Sequence, residues 1–331
     1  MTYTASDVSV VICAYAEERW NDLAAAIQSV SDQVERPGEI IVVIDHNPQL
    51  LRRVSAHFPD VVTLENKEER GASGARNTGV AYAKGAIMAF LDDDATAEPD
   101  WLVHLLKAHR NPRVLGVGGE LEPEWAGDPP KWFPEEFKWV VGCSYRGLPE
   151  RAAPIRNLIA ANMSVRRDAF EALGGFRSGF GNIGKRLGCE ETELCIRARQ
   201  RWPKSVWLYE PQARVHHKVP AARSTWAYFR SRCYDEGLIK ALVSRLVGSQ
   251  DGLASERAYV VRTLPTGVAI NLWGALRHRD VNRLLRAGAI VAGLAFTTLG
   301  YLKASLSSAL TQRALSNERV LSKKDRRLDA V

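Results

Sequence analysis

The sequence predicts an α/β protein whose mostly parallel sheet carries helices on both faces, followed by a helical C-terminal region. Two observations predict the sheet: short apolar runs rich in β-branched residues alternate with helical patterns, and polar residues follow each run. Strands and helices that alternate at this spacing are typical of βαβ units. A third observation, a change to basic and apolar helical sequence after about residue 220, predicts the additional region.

The first 110 residues show the alternation most clearly. The run Val8–Ala14 predicts the first strand, because it is apolar and β-branched and ends before the charged segment 17–19. Pro37 and Gly38 end the helix that follows. In chain order, the other predicted elements are a helix over 21–34, a strand over 39–45, a helix over 50–58, a strand over 61–64, a helix over 73–84, a strand over 86–91 and a helix over 101–109.

Residues 120–156 depart from this pattern. Four prolines lie within 123–134, and a segment so rich in proline is expected to form loops, such as a lid over a site. Three tryptophans accompany the prolines: Trp125, Trp132 and Trp139. These side chains would either stack on a ligand or pack in the core, which is the more common fate of tryptophan.

The C-terminal third contains apolar helical sequence with basic flanks. Residues 223–247 form a basic helical stretch, and 260–302 holds two apolar segments separated by arginines. The run 287–302 is uncharged for only 16 residues, fewer than the roughly 20 that a spanning helix needs. A helix in the membrane interface or a re-entrant hairpin is therefore favoured, and a buried hairpin in a soluble protein is the alternative. The flanking arginines suit anionic lipid headgroups.

Charge and cysteine content narrow the choice of partners. The chain has 45 Lys and Arg against 38 Asp and Glu, so an anionic partner is expected: a lipid surface, a phosphorylated substrate or a nucleic acid. We predict no nucleic-acid partner, because the sequence contains no nucleic-acid-binding motif and its basic residues lie beside apolar segments. The five cysteines show no CxxC spacing, which argues against a disulfide framework or zinc site and fits the cytoplasm.

Three consecutive carboxylates are the most informative local feature. Asp92, Asp93 and Asp94 follow a buried strand, and their mutual repulsion requires a cation or a hydrogen-bond network to offset it. The carboxyl end of a parallel strand is where ligands bind in such sheets. We therefore predict Mg²⁺ or Mn²⁺ bound by these carboxylates and bridging a diphosphate. The alternative is an acidic turn that caps the following helix.

Two further segments support a phosphate-binding site. Asp45 ends the second strand, and the glycine-rich segment 70–79 (RGASGARNTG) precedes the strand that leads to Asp92. Backbone N–H groups of a glycine-rich loop can hold phosphate at a helix start, and Arg76 adds positive charge. The segment is neither a Rossmann fingerprint nor a P-loop.

Taken together, these motifs resemble those of the family 2 glycosyltransferases. The motifs that carry the resemblance, in order, are VVICAY, Asp45, RGASGARNTG, FLDDDA, ANMSVRRDAF and GCEETEL. The resemblance covers roughly Val8 to His217, about two thirds of the chain. The resemblance implies a GT-A fold, a nucleotide-diphosphate sugar donor, and inversion at the anomeric carbon.

The resemblance also implies roles for residues on the donor side. Asp45 would contact the base, usually uracil, and the other residues expected to border the nucleotide are Ala14, Tyr15, Glu17, Arg76 and Asn77. Asp92, with Asp93 beside it, would face the ribose and diphosphate, and Asp94 would ligate the metal. Several members of the fold place a histidine ligand after a short strand, here predicted over 205–209. His216 is favoured over His217 for this role by a small margin.

Glu190 and Glu191 match a Glu-Asp pair of the family, whose second member is the catalytic base. Here that member is Glu191, which keeps the carboxylate but extends it by one methylene. A base is required chemically, because an attacking hydroxyl must lose its proton. The alternative is a solvated first turn of a helix over 191–199, stabilised by the helix dipole.

The sequence thus predicts a glycosyltransferase that moves a sugar, expected to be UDP-linked, to a hydroxyl or phosphate acceptor. We expect a polyprenyl-linked acceptor at the cytoplasmic face of the membrane, with the enzyme peripheral or monotopic. Residues 1–220 would form the catalytic domain, divided into a nucleotide-binding half (1–119) and an acceptor half (120–220), and 221–331 would associate with the membrane. The alternatives are a soluble or protein acceptor, or a non-catalytic basic binding module.

Overall fold

One sheet forms the centre of the molecule. The computed structural model describes residues 3–177, 188–247 and 257–306, and the structural statements below refer to these residues. The strands, in chain order, are β1 (Val8–Ala14), β2 (Glu39–Ile44), β3 (Val62–Glu65), β4 (Ile87–Asp92), β5 (Ala95–Ala97), β6 (Val114–Trp125), β7 (Ala153–Ile155), β8 (Asn162–Arg166) and β9 (Val206–Val219). Their spatial order is β3-β2-β1-β4-β8-β6-β9-β5, and β7 pairs with β9.

Helices cover the sheet and extend beyond it. In chain order, they are α1 (Trp20–Ser31), α2 (Pro48–His57), α3 (Ala72–Tyr82), α4 (Trp101–His109), α5 (Arg167–Ala172), α6 (Glu190–Arg201), α7 (Trp226–Val247), α8 (Leu264–His278) and α9 (Val281–Leu306). The predicted helices and strands of the first 110 residues are confirmed, with ends that shift by a few residues. Propensity fixes the ends of an element less well than its existence.

The N-terminal part of the sheet is parallel. β1 runs parallel to β2 on one side and to β4 on the other, and β2 runs parallel to β3. Ala14 pairs with Ile44 and Cys13 pairs with Asp92, so these three strands end at the same edge. Beyond β4 the sheet is mixed, because β8 runs antiparallel to both β4 and β6. The carboxyl ends of the parallel strands form the edge at which ligands bind in open α/β sheets.

Alternate side chains of β1 enter two hydrophobic cores on opposite faces of the sheet. Val10 and Ile12 pack in the core that contains Leu23 of α1, whereas Val11 packs in the core that contains Val80 of α3. This alternation follows from the two-residue repeat of a strand. The prediction of an α/β fold with helices on both faces is therefore confirmed.

Two strands extend further than the sequence predicted. β6 continues to Trp125, into the segment expected to form loops, and β9 continues to Val219 instead of ending at Tyr209. The reason is their mutual pairing: β6 and β9 run parallel from Val114 to Trp125, and this long-range contact overrides local propensity. Buried and more exposed side chains alternate along the last seven residues of β9.

The C-terminal helices pack against one another and against the segment Glu135–Val141. α9 has 26 residues, more than the 16-residue uncharged run, because Arg283 and Arg286 lie in its first turns. By length and composition α9 could cross a membrane: its most apolar window has a mean hydropathy of 1.4, and 28% of that window is buried. One side of α9 is buried, as the buried-hairpin alternative predicts, and the other side is exposed.

A close contact between α7 and α9 leads to a stability prediction. A Cβ on Gly300 would lie 2.0 Å from the Tyr234 carbonyl oxygen, so Gly300→Ala should destabilise the protein by about 1–3 kcal/mol through overpacking. Gly288, on the same helix, has no atom of the described residues within 4 Å of an added Cβ, and Gly288→Ala should stabilise by about 0.5–1 kcal/mol. Thermal unfolding of the two variants in one buffer measures both changes in stability. Equal changes would contradict the close contact between α7 and α9.

Candidate active site

The acidic segment lies where three parts of the chain meet. Asp92 ends β4, and Asp93 and Asp94 form the turn into β5. β5 pairs with β9, which places Ala95 opposite His217. The Asp94 carbonyl also accepts a hydrogen bond of 2.9 Å from the backbone N–H of Lys218. Strand pairing therefore brings a histidine from a distant part of the sequence to the three carboxylates.

Asp92, Asp94 and His217 form a cluster of possible metal ligands. One ligand atom from each lies within 4.8 Å of the others, and Asp94 Oδ1 lies 3.4 Å from His217 Nε2. Two carboxylate oxygens and an imidazole nitrogen suit a divalent cation. Beside them, Asp93 Oδ2 is buried without a hydrogen-bond partner within the described residues, as expected where a polar ligand is missing. These residues therefore fit a divalent metal ion.

The structure brings His217 close to the two aspartates. The sequence pattern instead favours His216 as the third ligand. His216 Nε2 lies 2.6 Å from Glu98 Oε1, and its other ring nitrogen lies 3.7 Å from Glu122. Successive side chains of a strand point to opposite faces, so only one of the two histidines can face Asp94. The geometry therefore brings His217, and not the predicted His216, into the cluster, and metal binding by this cluster stays a prediction.

Mutual charge stabilisation shifts the pKa values of Asp94 and His217 in opposite directions. Burial alone would lower the pKa of His217, but hydrogen bonding to Asp94 raises it to about 10. The reverse holds for Asp94: burial opposes ionisation, yet His217 and Arg19 lower the pKa of its carboxyl to about 2. A histidine binds a metal through its neutral ring, so metal binding at this cluster would release a proton from His217.

Arg19 is a site residue that the sequence analysis did not identify. Its guanidinium lies 2.8 Å from Asp93 Oδ1 and also contacts Asp94 Oδ2. Burial and the charges of the neighbouring aspartates raise the pKa of Asp93 to about 7, although Arg19 opposes that shift. Because 75 residues separate Arg19 from Asp94, the sequence gives no sign that they are in contact. The one local signal is the position of Arg19 in the loop that follows β1.

Arg76 joins the acidic segment to the start of α6. One guanidinium nitrogen lies 2.8 Å from Asp92 Oδ1, and the other lies 2.6 Å from Glu190 Oε1. Arg76 is buried, whereas Asp92 keeps 33% of its side chain exposed. The charges of both carboxylates outweigh burial and raise the pKa of Arg76 above its usual range. Its predicted role toward the nucleotide stays a prediction.

Glu190 and Glu191 differ in environment although they are adjacent. Glu190 is buried, and its carboxylate accepts hydrogen bonds from Arg76 and from the Cys189 N–H at 3.0 Å. Glu191 is partly exposed. Burial of its carboxyl, together with the neighbouring charge of Glu190, raises the pKa of Glu191 to about 8. A carboxylate with a raised pKa is a better proton acceptor, which agrees with the role predicted for Glu191.

The turn after α5 is held in place by polar contacts from two helices. Asn77 of α3 accepts a 2.9 Å hydrogen bond from the Phe176 N–H and donates one of 2.8 Å to the Phe176 carbonyl. From α6, Arg197 donates to the Gly175 carbonyl at 2.9 Å and pairs with buried Glu193. A Cβ on Gly175 would lie 2.7 Å from Asn77 Oδ1. Asn77 therefore positions this turn in the structure.

The other residues predicted to border the nucleotide lie at the ends of β1 and β2. Asp45 is buried and accepts hydrogen bonds from the Asn66 amide at 2.7 Å and the Gly71 N–H at 3.0 Å. The Asp45 N–H donates to the Ala14 carbonyl at 2.8 Å. Tyr15 is exposed, and Glu17 pairs with an arginine of α2 at 3.2 Å. Contact of these residues with a nucleotide stays a prediction.

The fold and the acidic cluster fit a sugar-transferring enzyme of the GT-A type, and comparisons with known proteins specify the family. Residues 9–174 match the model of glycosyl transferase family 2. The chain belongs to this family, so the family resemblance and the glycosyltransferase class are confirmed. The chain is also 33% identical over 311 residues to the glucosyl-dolichyl phosphate glucuronosyltransferase of Haloferax volcanii, with 92% of this chain and 98% of that protein covered.

Two solved structures share the fold. The mannosyltransferase PcManGT from Pyrobaculum calidifontis, in complex with GDP-Man and Mn²⁺, superposes with a TM-score of 0.55 and 17% identity, covering 88% of this chain and 86% of that one. GalNAc-T7 with UDP, GalNAc and Mn²⁺ superposes with a TM-score of 0.50 and 18% identity, covering 64% of this chain and 43% of that one. At these identities the likeness supports the GT-A fold alone.

Proposed function

We propose that this enzyme transfers a sugar, with inversion, from a nucleotide-diphosphate sugar to a polyprenyl-linked acceptor at a membrane surface. The observation that carries the proposal is the Arg76 bridge, because it places the start of α6 beside the acidic cluster. A candidate base and a candidate donor site thus lie on either side of one buried guanidinium. The name of the Haloferax volcanii relative, which specifies a lipid-phosphate-linked sugar, supports the choice of acceptor.

The aspartates of the acidic segment and Glu191 would have different roles in the reaction. Mg²⁺ or Mn²⁺, held by Asp92, Asp94 and His217, would offset the charge of the departing diphosphate. Glu191 would accept the proton of an attacking hydroxyl as the bond to the anomeric carbon forms and the bond to the diphosphate breaks. An ionised phosphate acceptor would need no base. Because Glu191 has the raised pKa of a proton acceptor, a hydroxyl of a lipid-linked sugar is the proposed acceptor.

The membrane location and the domain division are also parts of the proposal. Residues 1–220 contain the site, and 221–331 contain the helices that we place at the cytoplasmic face; 307–331 lie outside the described residues. Large exposed apolar side chains on α8 and α9 support contact of these helices with a membrane. The proposed nucleotide is UDP, in line with the role expected of Asp45.

Donor choice can be tested by thermal unfolding with UDP- and GDP-linked sugars, each with and without Mn²⁺. A donor at 100 times its Kd should stabilise the protein by about 2.7 kcal/mol. Transfer is then followed with the selected donor and a polyprenyl-phosphate-linked sugar, and NMR of the product gives the anomeric configuration. Retention of configuration, or transfer to soluble sugars alone, would contradict the proposal.

The two adjacent histidines provide a matched test of the metal ligands. His217→Gln should weaken Mn²⁺ binding by at least roughly 10–100-fold, the effect of losing even an outer-shell partner of a metal site. His216→Gln, which removes a side chain paired with Glu98, should leave Mn²⁺ binding within about twofold of the wild type. Calorimetric titration with Mn²⁺ alone measures both. Weaker Mn²⁺ binding by the His216 variant than by the His217 variant would instead assign His216 as the third ligand.

A further inference from the structure

α9 is packed with its small residues inward and its large residues outward. The buried residues of this helix are mostly small: Ala287, Ala289, Ile290, Gly293, Gly300 and Ala304. The exposed large apolar residues are Val281, Leu284, Leu285, Val291, Leu299, Leu302 and Leu306. In water the hydrophobic effect favours the opposite arrangement, because burying a large aliphatic side chain contributes most. The outward side of α9 is therefore suited to apolar surroundings.

The same surface continues onto α8. Trp273 and Leu276 are 68% and 77% exposed, and both lie in the last turns before the connection to α9. The buried residues of α8 include Gly267, Gly274 and Ala275, so this helix also directs small residues inward. We call the exposed apolar residues of α8 and α9 the hairpin face; its members on α8 are Ile270, Leu272, Trp273 and Leu276.

Basic residues surround the connection between the two helices. Arg277 and Arg279 are exposed there, and Arg283 and Arg286 follow on the first turns of α9. Asp280 is the acidic residue of this connection, and it lies 3.6 Å from Arg283. Arginines beside an apolar surface can place their charge at lipid phosphates while their stems remain in the apolar layer. This charge pattern fits an anionic bilayer as the partner of the hairpin face.

Contacts along its length hold α9 against the catalytic body. Near its start, Arg286 donates a 2.8 Å hydrogen bond to the Lys131 carbonyl. In the middle, a Cβ on Gly293 would lie 2.4 Å from the Phe137 ring. Near its end, Arg245 of α7 donates to the Ala304 carbonyl at 2.6 Å. α9 is about 39 Å long at 1.5 Å per residue, so the contacts span most of the helix.

Because α9 packs against other elements along its length, it could cross a bilayer only if those elements entered the bilayer with it. α7 carries an ion-paired network in which Glu236 lies 3.1 Å from Lys240 and 3.8 Å from Arg232. Glu136, next to Phe137, is buried against Gly267 of α8 and lies 3.2 Å from Arg146. Crossing would move these charges into hydrocarbon, which is strongly unfavourable.

We infer that α9 lies along the membrane surface, with the hairpin face immersed in one leaflet and both ends of the helix on the same side. The inference rests on the proposed membrane location and adds the surface that makes the contact and the topology. It does not depend on the identity of the donor or the acceptor. The enzyme is accordingly monotopic, although α9 is long enough to span.

Flotation with vesicles tests the lipid contact. The double variant Trp273→Glu/Leu276→Glu should lose more than about tenfold of its binding to vesicles containing phosphatidylglycerol, because burial of each large side chain strengthens partition by roughly tenfold or more. The matched control, Val34→Glu/Val62→Glu, changes two exposed apolar residues outside the hairpin face and should bind like the wild type. Unchanged flotation of the first variant, or a wild-type protein that dimerises in water and does not float, overturns the inference.

Labelling with an impermeant maleimide tests the topology. His278→Cys and Ser305→Cys place thiols at exposed positions near the two ends of α9, and the wild type gives the background. In sealed membrane vesicles both positions should react from the same side. Reaction of the two positions from opposite sides overturns the inference. Stabilisation by donor with Mn²⁺ is measured on every variant, so loss of lipid contact is distinguished from failure of the proposed transfer reaction.

Discussion

Replacement of Glu191 with glutamine should lower the rate of sugar transfer by roughly 10²–10⁴, the usual contribution of a general base. Glutamine keeps the shape of the side chain but cannot accept a proton from the acceptor hydroxyl. Donor binding should remain near the wild-type value, because Glu191 is proposed to act on the acceptor. Initial rates with a lipid-linked acceptor, together with donor titrations, measure the two effects separately.

The pH profile gives an independent readout of the same prediction. Because a base is active when deprotonated, and the pKa of Glu191 in the free enzyme is raised to about 8, wild-type kcat/KM should rise with pH up to about 8 and then level off. The Glu191→Gln variant should lack this rise. A wild-type profile that stays flat from roughly two units below that pKa up to the pKa would contradict the assignment of the base.

Glu190→Gln is the control for position within the pair. This change weakens a buried ion pair with Arg76, so we expect a lower melting temperature. If Glu190→Gln impaired turnover more than Glu191→Gln while the protein stayed equally stable, the roles of the two residues would have to be exchanged.

Asp94→Asn should abolish detectable turnover and weaken Mn²⁺-dependent donor binding by at least roughly 10–100-fold. The substitution removes the proposed anionic ligand and leaves Arg19 and His217, both paired with Asp94 in the structure, without that charge. Calorimetric titration of a UDP-sugar with and without Mn²⁺ measures the loss.

Asp100→Asn is the matched control for this prediction. Asp100 precedes α4, and its largely exposed side chain lies 3.1 Å from His104, outside the metal cluster. Its change should leave turnover and Mn²⁺ binding at wild-type values, since exposed pairs contribute little. Full wild-type activity in EDTA would exclude a metal requirement, and undiminished activity of Asp94→Asn would exclude this ligand.

Local pattern was sufficient for much of the fold. Continuous apolar runs predicted β1, β2 and β4, because buried parallel strands need apolar residues on both faces. The extension of β9 to Val219 was missed, since its residues include polar Arg214, His216 and Lys218, and their strand conformation depends on pairing with β6. The choice of His217 over His216 depends on that same extension, because only a continuing strand fixes which histidine faces Asp94.

The ion pairs of the candidate site could not be predicted locally. Arg76 lies 16 residues before Asp92 and 114 before Glu190, and Arg19 lies 75 before Asp94. Nothing in the spacing of these residues specifies such contacts. They arise where strand ends and helix starts meet, so they require the three-dimensional arrangement. The motifs themselves, at Asp92–Asp94 and Glu190–Glu191, were identified from sequence because each is contiguous.

The short connection between β9 and α7 has a kinetic consequence. β9 ends at Val219 two residues after His217, and α7, which contacts α9, begins at Trp226, so only a short segment joins the candidate site to the helix that supports α9. With the hairpin face in the leaflet, the enzyme and a lipid-linked acceptor would search for each other in two dimensions. The turnover rate per enzyme should then depend on the mole fraction of acceptor in the lipid, and dilution of intact vesicles in buffer that holds the same saturating donor concentration should leave it unchanged.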